Sequence, residues 1–123
     1  MRGRGFTLIE LLVVMAIVAL LLAIAAPRYF VHLDRSKEAA LRQTLAVTRD
    51  AIDKFHADRG RYPESLEDLV DKRYLRKLPV DPLLESAAEW QAVAPPAGAA
   101  GSLYDLKSGA PGSGPDGTPY AEW

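Results

Sequence analysis

The sequence predicts an α+β chain in which one long N-terminal helix carries a small head built from a short helix and a small antiparallel β-sheet. Three observations lead there. From Leu11 to Ala26 every residue is apolar. Farther on, Leu41, Leu45, Thr48, Ile52 and Phe55 recur at spacings of four, three, four and three, which places them on one face of a helix. After Gly60 that period gives way to short apolar clusters separated by Pro and Gly, the pattern of short elements joined by turns.

Composition narrows the function classes. The 123 residues allow one small domain and include no Cys, so disulfides, thiolate metal sites and Cys nucleophiles are excluded. Net charge is −1, with a basic block and an acidic one. Residues 28–77 carry twelve Lys/Arg against nine Asp/Glu, whereas residues 81–123 carry Lys107 against six acids. Neither imbalance suffices for nucleic-acid binding, so no nucleic acid is expected as a partner. His32 and His56 lack metal-ligand spacing, and Glu67, Asp68 and Asp71 read as the solvated face of a short helix. The Gly-rich tail lacks the Gly-Lys-Ser/Thr ending of a phosphate-binding loop. No Ser/His/Asp arrangement stands out, and nothing supports an enzyme.

The N-terminus admits three readings. Arg2 and Arg4 followed by the apolar run and Ala23-Ile24-Ala25 fit a secretory signal peptide. The same run, extended back to Phe6, fits a plain membrane anchor, with the two arginines holding that end in the cytoplasm. Neither explains Glu10, since a carboxylate inside a bilayer costs about 2.5–3.5 kcal/mol. Pro27 then predicts a kink, because it lacks an amide proton and its ring crowds the preceding turn. Residues 28–60 form the amphipathic half of the helix, with Glu38–Arg42 and Asp50–Lys54 as favourable pairs one turn apart. Gly60 supplies the stop. As one helix from Phe6 to Arg59 the rod would be roughly 80 Å long.

In the head, "RYPESLEDLV" predicts a short helix opened by Pro63, with Leu66, Leu69 and Val70 facing inward. "RYLRKLPVDP" predicts an extended segment that points Leu75, Leu78 and Val80 inward. Trp90–Val93 and Leu103–Lys107 are expected to pair as a hairpin over Ile52 and Phe55. The closing stretch "SGAPGSGPDGTPYAEW" has the composition of a flexible tail, but Tyr120 and Trp123 are large enough to anchor it as an ordered loop.

The string "RGFTLIELLVVMAIVALL" resembles the N-terminal signal of type IV pilins and type II secretion pseudopilins. The resemblance covers about 25 residues and gives Glu10 a role. It implies that a prepilin peptidase cuts after Gly5 and that the new terminus at Phe6 is methylated. The chain then divides into a leader (1–5), a transmembrane and polymerisation helix (6–27), an amphipathic helix (28–60) and a head (61–123). A buried charge is tolerated when paired. Glu10 would meet the Phe6 amine of a neighbouring copy within a filament core. The order of "RYPESLEDLV" and "YLRKLPVDP" resembles, more narrowly, the major pseudopilin of type II secretion. The family's usual Trp-Gly-x-Pro-Tyr turn is replaced here by "LLESAAEW".

That resemblance implies a homopolymeric periplasmic filament that drives protein export across the outer membrane. The expected partners are the prepilin peptidase, minor pseudopilins, an inner-membrane assembly platform and the bacterial inner membrane itself, with the N-terminus cytoplasmic and the head periplasmic. It also implies a calcium ion in the loop "YDLKSGAPGSGPDG". Asp116 and the backbone oxygens of Leu106 and Ser108 are the candidate ligands, assisted by Glu122 or Asp105, although the family's later acidic cluster is missing. Two other functions fit the same N-terminal half: a type IV pilin in adhesion, motility or DNA uptake, and a membrane-anchored periplasmic accessory protein that never polymerises.

Overall fold

The computed structural model describes residues 5–123. In chain order it holds α1 (Leu8–Arg59), α2 (Leu66–Asp71), β1 (Gln91–Val93), β2 (Asp105–Lys107) and a final 3₁₀ turn (Tyr120–Glu122). Two compact units divide the chain, the first ending at Ser36 and the second running from Lys37 to Trp123.

The first unit is the N-terminal part of α1. Its large apolar side chains are exposed on every side, from Leu8, Ile9 and Leu11 through Met15 and Leu20 to Ile24, Tyr29 and Phe30. A helix with exposed apolar residues on every side is suited to being covered by lipid or by other helices. By length and composition α1 can cross a membrane. The helix continues through Pro27 without a break. Proline deprives the Ala23 carbonyl of its usual donor, and the residues on both sides of it remain helical.

The second unit owes its core to the predicted stripe. Leu41, Leu45, Thr48, Ala51, Ile52 and Phe55 of α1 are all buried, and the apolar ones cluster with Leu69 of α2, Leu103 and Leu106. Thr48 belongs in this stripe because its hydroxyl donates to the Thr44 carbonyl (2.8 Å), so no polar atom is left unsatisfied. Gly60 ends the helix at φ +70°, a conformation glycine adopts without penalty, and its N–H donates to the His56 carbonyl.

Several local expectations change. Ser65, not Pro63, caps α2: its hydroxyl accepts from the Asp68 N–H, and Pro63 lies buried before the helix. Leu69 is fully buried there, whereas Leu66 and Val70 are half-buried. Val80 points outward, 48% exposed, while Leu75 and Leu78 are half-buried. Successive side chains of an extended segment alternate, and it is Asp81 that turns inward. The expected Glu38–Arg42 pair is replaced by two separate contacts with the closing loop. Glu38 accepts from the Tyr120 hydroxyl (2.8 Å), and the Arg42 guanidinium lies 4.0 Å from the centre of a Trp123 ring. Asp50 and Lys54 do pair, at 2.9 Å.

The two strands form the expected antiparallel pair in the register Gln91↔Lys107, Ala92↔Leu106 and Val93↔Asp105. Both are shorter than predicted. The Leu103 N–H donates to the Pro63 carbonyl instead of joining the ladder, although the Leu103 side chain stays in the core. Just before it, Gly101 sits at φ +106° against the Tyr62 carbonyl, where a Cβ would collide with backbone. No residue but glycine fits there.

Candidate functional site

Gly5, Phe6 and Thr7 precede the helix and are exposed, so the peptide bond between Gly5 and Phe6 lies outside regular structure. Helix formation starts immediately afterwards through a reciprocal pair of hydrogen bonds. The Glu10 N–H donates to the Thr7 hydroxyl (3.1 Å), and the Thr7 N–H donates to Oε2 of Glu10 (3.3 Å). The Leu11 N–H donates to the Thr7 carbonyl (3.2 Å), closing the first turn. This is a capping box, which satisfies amide protons that a helix start otherwise leaves bare. It also puts a carboxylate near the positive end of the helix dipole. Sequence reasoning found Glu10 but missed this role, although Thr-x-x-Glu ahead of an apolar run is its signature. Arg2 and Arg4, expected to fix the orientation of the anchor, lie outside the described residues.

The closing loop of the head folds back on itself. The Gly114 N–H donates to the Thr118 carbonyl (2.9 Å) and the Tyr120 N–H to the Gly112 carbonyl (3.1 Å). Tyr120 and Trp123 pack edge to face, ring centres 4.9 Å apart. They anchor an ordered loop, as their size suggested. At its base the fully buried Asp81 accepts from the Ser108 hydroxyl and from the Leu83 N–H (2.9 Å). Sequence reasoning did not single out Asp81, because the signal lies in a partner 27 residues away.

Several of the oxygens expected to hold calcium have partners within the chain. Both oxygens of Asp116 accept from Thr118, one from its N–H and one from its hydroxyl, each at 3.0 Å. These donors, the N–H first, hold the Asp116 carboxyl below its usual range. The Leu106 carbonyl faces the guanidinium of Arg49 (3.1 Å), and Asp105 is bonded to the same group (2.7 Å). Glu122 is exposed. Among the described residues no three His, Asp or Glu side chains converge as a metal site. Calcium prefers six to eight oxygens, several of them anionic, and Asp116 is the one carboxylate between Ser108 and Thr118.

Comparison with known proteins bears on the N-terminal motif and the head together. The family described as a prokaryotic N-terminal methylation motif matches residues 1–26. Such a segment, continued by one long helix and a small α+β head, is the pattern of the type IV pilin class. A type II secretion system core protein G of Dickeya chrysanthemi is 31% identical over 96% of this chain and 81% of its own length. One from Klebsiella michiganensis is 30% identical over 89% of this chain and 84% of its own length. The type IV major pilin protein PilA of Myxococcus xanthus is 37% identical over 68 residues, 55% of this chain, and the chain spans about a third (31%) of that pilin. No solved structure matches. Within the pilin class, the chain belongs to the family of type II secretion system core protein G, the pseudopilins.

Proposed function

We propose that this pseudopilin is made as a precursor, cut between Gly5 and Phe6 by a prepilin peptidase and methylated on the new terminus. In this reading α1 holds it in the inner membrane with the N-terminus cytoplasmic and the head periplasmic. An inner-membrane assembly platform then adds it, alongside minor pseudopilins, to a periplasmic filament whose growth moves folded proteins through the outer membrane. The observation that carries the reading is the first unit of α1. Its described apolar side chains are exposed, and in this reading lipid covers them before assembly and sister helices afterwards.

Glu10 marks the change between those two states. Alone in lipid its carboxylate is costly, and the Thr7 N–H is a neutral partner. In a filament core the ammonium of a neighbour's Phe6 supplies the opposite charge, and the pair fixes axial register as buried polar residues do in helical bundles.

The experiment is Glu10→Ala, followed in cells for leader removal, for filament formation and for export. Processing is expected to persist while filaments and secretion are lost. Because the chain has no Cys of its own, Leu11→Cys supplies a single thiol, and disulfide cross-linking between copies reports helix packing directly. Normal filaments from Glu10→Ala, or a mature chain that begins at Ala26 as a soluble monomer, would end this reading.

A further inference from the structure

We propose that the guanidinium of Arg49 takes the place of a metal ion in fastening the closing loop of the head, so that the loop holds without calcium. Three oxygens from distant parts of the chain converge on this one side chain of α1. Its Nε donates to Oδ1 of Asp105 at 2.7 Å, and its Nη2 donates to the main-chain oxygens of Leu106 at 3.1 Å and Trp123 at 2.6 Å. These contacts join α1 to β2 and to the end of the loop, across separations of 56, 57 and 74 residues. Joining remote oxygens through a central cation is the structural service a bound calcium performs. A planar fork of five N–H donors can perform it too, with a fixed direction for each bond.

The charges around the site reinforce the assignment. Lys107 adds a second cation, its Nζ donating to the Trp123 main-chain oxygen (3.0 Å) and lying 3.9 Å from Oδ2 of Asp105. Arg42 adds a third over the Trp123 ring. A divalent ion entering here would compete for oxygens already bonded to donors and would be repelled by these neighbours. Two further carboxylates of the region are committed as well, Asp116 to Thr118 and Asp81 to Ser108 and Leu83, whereas Glu122 stays exposed. Arg49 is well placed for the task because it directly follows Thr48 in the buried stripe. It therefore leaves α1 at the edge of the core, half-buried, beside β2.

The test uses the full chain in detergent micelles. Thermal unfolding, and proteinase K cleavage within residues 108–123 read by mass spectrometry, are compared in EGTA, in saturating calcium chloride and in matched magnesium chloride. The wild type is expected to give the same Tm and the same cleavage rate in all three. A calcium-specific rise in Tm, or calcium-specific protection of the loop, overturns the proposal. Arg49→Met is expected to speed loop cleavage about tenfold, the scale of losing a charge-assisted hydrogen bond. Arg49→Lys, which keeps the charge without the fork, should restore only part of the protection. Unchanged cleavage in a folded Arg49→Met protein overturns the proposal too. If that variant does not fold, the calcium comparison on the wild type decides alone.

Discussion

Glu10, Asp81 and Asp116 are three carboxylates in three settings, a helix start, a buried place and an exposed loop, and the differences set what each substitution should do. Thr7→Ala removes one half of the box that Glu10 completes. It should cost about 0.5–2 kcal/mol at the helix start, seen as faster amide exchange over residues 8–11 with the remainder of α1 unchanged. Asp81→Ala leaves the Ser108 hydroxyl and the Leu83 N–H without their acceptor in a buried place. Each orphan costs about 1–3 kcal/mol, so a Tm lowered by several degrees is the expected result, with Asp81→Asn milder. Asp116 is exposed, and its effect is one of pH. Its folded pKa lies below the unfolded value of about 3.9. The stabilisation is therefore complete above that value and disappears as pH falls through the depressed one. An NMR titration of the Asp116 carboxyl carbon should show the depression, and Thr118→Ala should weaken it. Of the three, Glu10 was legible because it interrupts an apolar pattern. Asp81 was not, since "VDP" reads as an ordinary turn until Ser108 is brought to it.

At the scale of elements, legibility followed the length of the repeating pattern. The stripe from Leu41 to Phe55 spans four turns and agrees with itself at every step, and every member of it is buried. The short elements have no such redundancy. A three-residue strand is bounded by where its neighbours' amides go, and the Leu103 N–H goes to Pro63 for reasons of tertiary packing. The same holds for Glu38 and Arg42, whose spacing suits a pair one turn apart until Tyr120 and Trp123 arrive. Two substitutions on α1 separate stripe from surface. Leu45→Ala should destabilise the head by about 2–5 kcal/mol. Val47→Ala, about half exposed two residues away, should change it by no more than about 0.5 kcal/mol. Chemical denaturation in micelles measures both. Equal costs would mean that the two faces of the helix are not distinguished as the structure has them.

For the molecule as a whole, the two units demand different surroundings. The second has its own core, whereas the first leaves its apolar residues to whatever lies outside the chain. Full-length protein transferred out of detergent should accordingly self-associate, and sedimentation should show large species where micelles gave small ones. The fold class was legible because an unbroken apolar run and a stripe at helical spacing are different patterns, and the N-terminal motif because its residues resemble those of pilins and pseudopilins. The fastening of the closing loop was not, because Arg49 in a helical pattern looks like any solvated cation. Its role depends on oxygens contributed from the far end of the chain.

The helix begins at Leu8, two residues beyond the bond proposed for cleavage, and its first turn is sealed by bonds among Thr7, Glu10 and Leu11. A cut at that bond would leave these described hydrogen bonds of the first turn in place. On the proposed cut the side-chain charges of Arg2 and Arg4 would leave with the leader and the terminal ammonium would move to Phe6, next to the capping box that Thr7 and Glu10 form.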